Sequence, residues 1–465
     1  MAAMHRYRRH FSKCTIHQDA ESMSLSSMHA VAPRKIGPAL SLARSPVEQA
    51  GAMSMLALGP DKDTLDAWQA AGLALPDLPE MRRYRLARVR EQLIAHDYAG
   101  IVLYDPVNIR YATDSSNMQV WTLHNACRYA FVPAQGPVIL WEFDHCDFLS
   151  DHTDSVDEVR PCVPWFHFSA GNRVHEQVAR WADEIAAVVR QHGGGNRRLA
   201  FDHCDAEGVA ALERHGIDIQ SGEALMEEAR RIKCEDEIRA MRCAIHACEA
   251  GIDVMRGHLK PGITEQRLWS YLHAENIARG GEWIETRLLA SGPRCNPWYQ
   301  ECSSRLIEEG DLVAFDTDLV GSYGFCVDTS RTWLCGDAAP TAQQRDIYRL
   351  AYDQVQANID LLRPGLTHHD LSHRAVCYPS EAFRHYSCLY HGVGLCDEAP
   401  NIYFPESWDA WGYDGVIEPG MVLCVESYVG RVEGGPGVKL EEQVLITETG
   451  HEVLTRYPFE ERLLG

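Results

Sequence analysis

At 465 residues, 45% of them hydrophobic and 24% charged, the chain has the composition of a globular protein and the length for two domains. Its formal net charge of −22 argues against nucleic acid or an anionic membrane as partner, and no run approaches the ~18 apolar residues of a membrane span. The 16 cysteines include no C-x-x-C pair, and Cys326, Cys388 and Cys424 lie in apolar runs where thiols act as small hydrophobes, so a reduced, cytoplasmic setting is expected.

Residues 1–65 open on the basic MAAMHRYRRHFSK and continue rich in Ser, Ala and Met. An acid-poor start of this kind resembles an organelle presequence; the reading adopted is a disordered leader, with no secretory apolar core. From Leu75 the pattern turns periodic. Residues 80–97 read as a helix with Met81, Tyr84, Leu86, Val89, Leu93 and Ile94 on or near one side. Strands are expected at 100–104, 129–133, 137–143 and 198–202, with a helix at 172–192 stopped by Gly193-Gly194-Gly195. Strands alternating with helices make 66–230 an α/β domain. A helix of about 25 residues begins near Lys233, with acids in its first turn where the helix dipole favours them.

The remainder, 231–465, contains an internal repeat. Leu259-Lys-Pro-Gly-Ile-Thr-Glu-Gln-Arg-Leu268 recurs as Leu362-Arg-Pro-Gly-Leu-Thr-His-His-Asp-Leu371, displaced by 103 residues (362 minus 259). Each copy ends one helix at Pro-Gly and starts the next on a Thr N-cap, which implies two helix–helix–strand halves related by pseudo-symmetry with a site between them. In the second copy His368-His369 opens a helix and is expected to face solvent.

Between the copies lies Asp311–Leu334, DLVAFDTDLVGSYGFCVDTSRTWL, which reads as two apolar strands joined by a glycine turn. On a strand Asp316 and Asp318 share a face, and the turn returns Asp328 beside them. Three acids converging on an apolar sheet repel one another and are costly to desolvate unless a cation neutralises them. His391, Glu426 and Glu441 sit in similar apolar, β-prone segments. Five carboxylates and an imidazole suit a divalent transition metal better than a thiolate site would. Arg331 follows the acids and is assigned a structural role.

The stretches VAFDTDLVGSYGFCVDTSRTW, HGVGL, GMVLCVES and VKLEEQVLITETG resemble the pita-bread metallopeptidases and creatinases. That resemblance implies an α+β C-terminal pita-bread domain with a pseudo-two-fold repeat, preceded by an α/β creatinase-like domain. It carries metal-ligand roles to Asp328, His391, Glu426 and Glu441. The peptidase pattern has one upstream aspartate, at a spacing between those of Asp316 and Asp318, so both are kept as ligands. Peptidases also follow the ligand histidine with a second histidine; here the run His391-Gly-Val-Gly-Leu-Cys-Asp-Glu-Ala-Pro400 is a residue shorter and has Asp397 in that place. A carboxylate cannot donate to a scissile carbonyl when ionised, but it can take a proton.

With AENIARGGEWIETRLLASGPRCNPWYQEC, LYHGVGLCDEAP and LYDPVNIRYATDSSNMQVW, the chain from about Ala70 to Gly465 is similar to dimethylsulfoniopropionate lyases of the DddP type. The resemblance implies β-elimination of a small zwitterionic sulfonium to acrylate and dimethyl sulfide, with Asp397 as general base. It implies one or two metal ions, iron the first choice and zinc, nickel or manganese the alternatives, and a homodimer. A sulfonium has no hydrogen-bond donor, so aromatic faces are its natural recognition surface; Trp298, Tyr299 and Tyr386 lie near the motifs, and Trp121 is placed to reach in from a partner subunit. An Xaa-Pro aminopeptidase or prolidase activity is the alternative.

Overall fold

A computed structural model of the chain describes residues 34–35 and 59–465; the expected leader otherwise lies outside the described residues. A helix at Lys62–Ala70 spans the expected boundary at 65, and its Trp68 is buried against Tyr323, with ring centroids 5.9 Å apart. No described helix is long and apolar enough to cross a membrane. The cysteines of the described residues are all free thiols.

The first domain is a seven-stranded mixed sheet built from β1 (Arg34–Lys35), β2 (Gly100–Leu103), β3 (Tyr129–Pro133), β4 (Ile139–Glu142), β5 (Glu158–Pro161), β6 (Arg198–Phe201) and β7 (Asp218–Ser221), in the order β1-β5-β4-β3-β2-β6-β7. Its central strands β2 and β3 bury both faces, so their sequences are continuously apolar. In β2, Ile101 and Leu103 enter one core with Met81, Val89 and Leu93 of helix α1 (Leu78–Ala95); Val102 enters the other with Trp181, Ile185 and Val189 of the helix Val174–His192. The latter helix stops at Gly193, as the glycine run implies.

Helix α2 (Glu223–Arg230) ends this domain, and α3 (Glu235–His258) starts the second behind a capping box in which Glu237 accepts from the Cys234 amide. The two copies of the repeat have matching geometry. After α3, Leu259 is extended, Gly262 is left-handed (φ 87°), and Thr264 caps α4 (Glu265–Ala278). After α5 (Ala342–Leu361), Leu362 is extended, Gly365 is left-handed (φ 87°), and Thr367 caps α6 (His368–Arg374). His369 is exposed as expected, but His368 is buried, packed so closely under Gly415 that a Cβ there would collide with its ring.

The strands of this half are β8 (Trp283–Ile284), β9 (Leu289–Ser291), β10 (Leu312–Asp316), β11 (Leu319–Val320), β12 (Cys326–Val327), β13 (Ser330–Leu334), β14 (Phe383–Arg384), β15 (Tyr390–Val393), β16 (Asp397–Ile402), β17 (Val422–Arg431), β18 (Gly437–Ile446) and β19 (His451–Val453). They form sheets β13-β10-β9, β12-β11-β8 and β16-β15-β17-β18-β19, with β14 on β17. Asp311–Leu334 therefore folds as four short strands rather than two. Asp318 adopts φ 36°, which ends the β10 geometry and removes the shared face expected of Asp316 and Asp318. Side chains stitch the sheets together: Thr332 Oγ1 donates to Lys439 O at 2.9 Å, and Thr329 Oγ1 to Glu441 O at 3.1 Å. Arg331 is structural as assigned, donating to Glu441 O and Tyr457 O and pairing with Glu442.

A buried ion pair locks the two domains. Arg85 of α1 reaches Glu237 of α3 at 2.8 Å, with its guanidinium 5.3 Å from the Tyr111 ring and 5.0 Å from the Phe325 ring. Arg85→Ala leaves Glu237 charged and unpaired in the interior, and urea unfolding is expected to report a loss of about 3–5 kcal/mol. The double exchange Arg85→Met/Glu237→Gln recovers most of that loss; equal damage from both would refute the pairing as the cause.

Candidate active site

Four strands and one turn bring the sequence-predicted acids together. Asp316 ends β10, Asp318 follows in the left-handed turn, and Asp328 stands between β12 and β13. His391 lies on β15, and Glu426 on β17 sits directly across from Glu441 on β18. His391 Nε2 is 3.5 Å from Asp328 Oδ2, 3.4 Å from Glu426 Oε1 and 3.7 Å from Glu441 Oε1. Its Nδ1 is 3.6 Å from Asp397 Oδ1. All the proposed ligands are buried, whereas the Asp397 side chain is 57% exposed and so stands at the mouth of the cluster.

Donors hold these carboxylates in place. Ser330 Oγ lies 2.7 Å from Asp316 Oδ1 and 2.9 Å from Glu441 Oε2, and Thr286 Oγ1 donates to Asp318 Oδ2 at 2.7 Å. Lys439, which sequence reasoning missed, places its buried Nζ 2.9 Å from Asp316, 2.7 Å from Glu426 and 3.1 Å from Glu441. The signal for it was available: two residues before Glu441 on an apolar strand, Lys439 shares that residue's face.

The electrostatics follow from crowding. Burial alone would raise Asp316, but Lys439 pulls it down to about 2. Burial, then Asp316 and Asp397, push Asp318 up to about 8. Burial and neighbouring acids raise Asp328 and Glu441 well above the carboxylate range. Burial works against a charged His391, yet Asp397, Glu426 and Glu441 raise it to about 10. Partial burial and Asp397 push Glu285, another residue not foreseen, up to about 7.

These residues fit a divalent ion. Asp328 Oδ1 and Glu441 Oε1 are buried and accept no hydrogen bond, an expensive state for anionic oxygen without a cation. Single ligand atoms from Asp328, His391, Cys424 and Glu441 lie within 4.8 Å of one another, as do those of Asp316, Glu426 and Glu441, and those of Asp318, Asp328 and Asp397. Asp316 and Asp318 thus fall in different groups, with Asp328 and Glu441 each shared by two. Burial, then Glu441 and Asp328, hold the Cys424 thiol well above its usual range.

The aromatic candidates divide. The Tyr386 ring lies 4.4 Å beneath Lys439 Nζ and stacks on Tyr299 at 5.1 Å, so both tyrosines border the acids; Tyr299 Oη also accepts from the Ser387 amide. Trp298 is buried against Tyr428 in the core, at 6.0 Å. Trp121 is on the short helix Gln119–His124, packed on Phe143 at 5.2 Å and lining a cleft with Gln119, Glu282 and Trp283. Within the chain neither tryptophan is brought to the acids.

The profile of metallopeptidase family M24 matches residues 239–448. The chain is 47% identical to the dimethylsulfoniopropionate lyase DddP of Roseovarius nubinhibens over 414 residues, 88% of this chain and 93% of that protein. It is 44% identical to the enzyme of the same name from Roseobacter denitrificans over 419 residues, covering 89% and 94%. Among solved structures it is similar to an Xaa-Pro dipeptidase from Bacillus anthracis (TM-score 0.65, 23% identity, 81% of this chain and 98% of that one). A prolidase from Pyrococcus horikoshii matches with TM-score 0.64 and 20% identity, over 81% and 99%. These share the fold, a pita-bread domain behind a mixed-sheet domain.

In the metal-free chain Asp318, Asp328, Glu441 and His391 all bind protons more tightly folded than unfolded. Between about pH 5 and 8 the unfolded chain therefore carries fewer protons, and stability falls as pH rises. Calorimetry of metal-free protein is expected to show Tm declining across that interval, with a divalent transition ion offsetting the decline and Asp318→Asn flattening it. A metal-free Tm that climbs toward pH 8 would refute this account of the cluster.

Proposed function

The chain belongs to the DddP family of dimethylsulfoniopropionate lyases, and from that premise we propose that it cleaves dimethylsulfoniopropionate to acrylate and dimethyl sulfide by metal-dependent β-elimination. The observation that carries the reading is Asp397: a carboxylate with an exposed side chain stands 3.6 Å from the buried His391. Asp316, Asp318, Asp328, His391, Glu426 and Glu441 would hold one or two divalent ions, iron being the first choice. When bound, such an ion supplies Lewis acidity toward the substrate carboxylate and so acidifies the adjacent C–H.

Asp397 is suited to receive that proton. Desolvation and the acids around it raise its carboxyl above the ordinary range, against the pull of His391, which brings its basicity nearer to what carbon deprotonation demands. As the C–H bond breaks, its electron pair forms the C=C bond of acrylate, and the C–S pair leaves on sulfur as neutral dimethyl sulfide. No nucleophile is needed. Tyr299, 51% exposed, offers its open ring face for the sulfonium with Tyr386 stacked behind it, a contact worth about 0.5–2 kcal/mol. Peptide hydrolysis is disfavoured by the same residue: an ionised Asp397 has no hydrogen to donate to a scissile carbonyl. A homodimer, with Trp121 contributed across the interface, and a cytoplasmic location complete the proposal.

Headspace chromatography should detect sulfide from purified protein supplied with Fe(II), and no cleavage of Gly-Pro or Ala-Pro beside it. Asp397→Asn should lower kcat by roughly 10²–10⁴-fold with metal content unchanged. Because the base must be deprotonated, wild-type kcat should rise with pH as Asp397 ionises. Dipeptide hydrolysis without sulfide would overturn the reading.

A further inference from the structure

The hairpin that carries Asp397 is weakly held by its own sheet. β16 is an edge strand paired only with β15, and the ladder is broken: His391 faces Asn401, but the next residue, Gly392, faces Glu398. Ala399 and Pro400 bulge out between, and a Cβ on Gly392 would lie 2.3 Å from Ala399 O. Only the end of the hairpin, Val393 opposite Asp397, continues the pairing. A bulge of this kind re-aims side chains and loosens pairing locally.

Glu227 and Arg230 of α2, which ends the first domain, and Lys233 of the segment between α2 and α3 meet at that bulge. Lys233 Nζ pairs with Glu398 Oε1, Arg230 Nε lies 3.4 Å from Glu398 Oε2, and Glu227 Oε2 accepts from the Ala399 amide at 2.8 Å. The Lys233 and Glu398 side chains are 2% and 1% exposed. Lys233 is itself fixed, its amide donating to Gly420 O at 2.9 Å. Arg230 also donates to Asn108, whose Nδ2 donates to Asp202 at 3.1 Å, so the support extends into the first domain's sheet. Neighbouring strand residues point to opposite sides, so fixing Glu398 inward sets Asp397 outward over the cluster.

We propose that Lys233, Arg230 and Glu227 are positioning residues that clamp the Glu398–Ala399 bulge, so that the last helix of the first domain and the segment behind it aim Asp397 from within the same chain. The inference rests on Asp397 being the base. Its cost is a buried charge pair that adds little stability but fixes one geometry, and misplacement of a base by about 1 Å can cost on the order of 10²-fold in rate.

The test is Lys233→Met in the full-length, metal-loaded protein, read by sulfide-release kinetics, metal content and hydrogen exchange. Expected are a kcat lower by roughly ten- to a hundredfold, KM within about twofold, and unchanged metal content. Amide exchange should quicken in 394–402 and not in 422–446, and Lys233→Arg should restore part of both effects. If Lys233→Met does not fold, Glu398→Gln, which keeps the shape and removes the charge, carries the same readouts. Wild-type kcat with unchanged exchange in 394–402 would overturn the clamp. An inactive wild type would instead sink the lyase reading, while the exchange data still decide whether the bulge is clamped.

Discussion

Everything in the second domain is arranged around an electrostatic problem. Glu426 and Glu441 face each other directly across an antiparallel ladder, an arrangement that costs stability between like charges even on a wet surface. Here both are buried, and Asp316, Asp318 and Asp328 crowd against them. Two resident cations, Lys439 and His391, neutralise only part of that charge. Lys439 bonds to Asp316, Glu426 and Glu441 but leaves Asp328 Oδ1 and Glu441 Oε1 without donors. Asp328, His391 and Glu441 each bring one ligand atom within 4.8 Å of the others. A divalent ion held there would add its binding energy to the stability of the fold.

The pseudo-symmetric halves explain how a chain can assemble such a cluster. Each half supplies a helix pair joined at a left-handed glycine and a Thr cap, and each feeds strands toward the middle. Asp316, Asp318 and Asp328 come from one half; His391, Glu426 and Glu441 come from the other. Neither half alone could bury its acids, so the site exists only where the two meet. The fold is shared with prolidases, and the proposed lyase chemistry differs in resting on one carboxylate beside the cluster, Asp397.

The sequence made this legible unevenly, for physical reasons. Acids embedded in apolar segments stand out because burying them needs a stated cause, and five of them are brought together with His391. The repeat was readable because turn chemistry is local: Pro-Gly and a Thr cap specify their geometry without help from the rest of the chain. Alternation failed at Asp318 because a single left-handed residue (φ 36°) breaks a strand, and nothing nearby in sequence announces it. Lys439 was passed over because a lysine next to acids reads as solvated, although the strand period placed it inside. Trp298 sits near the motifs in sequence but packs on Tyr428, because proximity along the chain says little about which face a side chain takes.

What could not be read at all are contacts over long separations. Lys233 and Glu398 are 165 residues apart, and Arg85 and Glu237 are 152 apart. Arg85–Glu237 crosses from one domain to the other and Lys233–Glu398 ties the segment joining them to the Asp397 hairpin, both at places where hydrophobic packing would have served stability as well or better. Ion pairs differ from apolar contacts in being directional and intolerant of slippage, so they fix one relative placement of two bodies rather than merely holding them together. That property is wasted if the first domain is only ballast. It is useful if the hairpin presenting Asp397 has an interrupted ladder and must be aimed from outside its own sheet. The charged seam is thus best understood as the means by which a non-catalytic domain imposes geometry on a catalytic one.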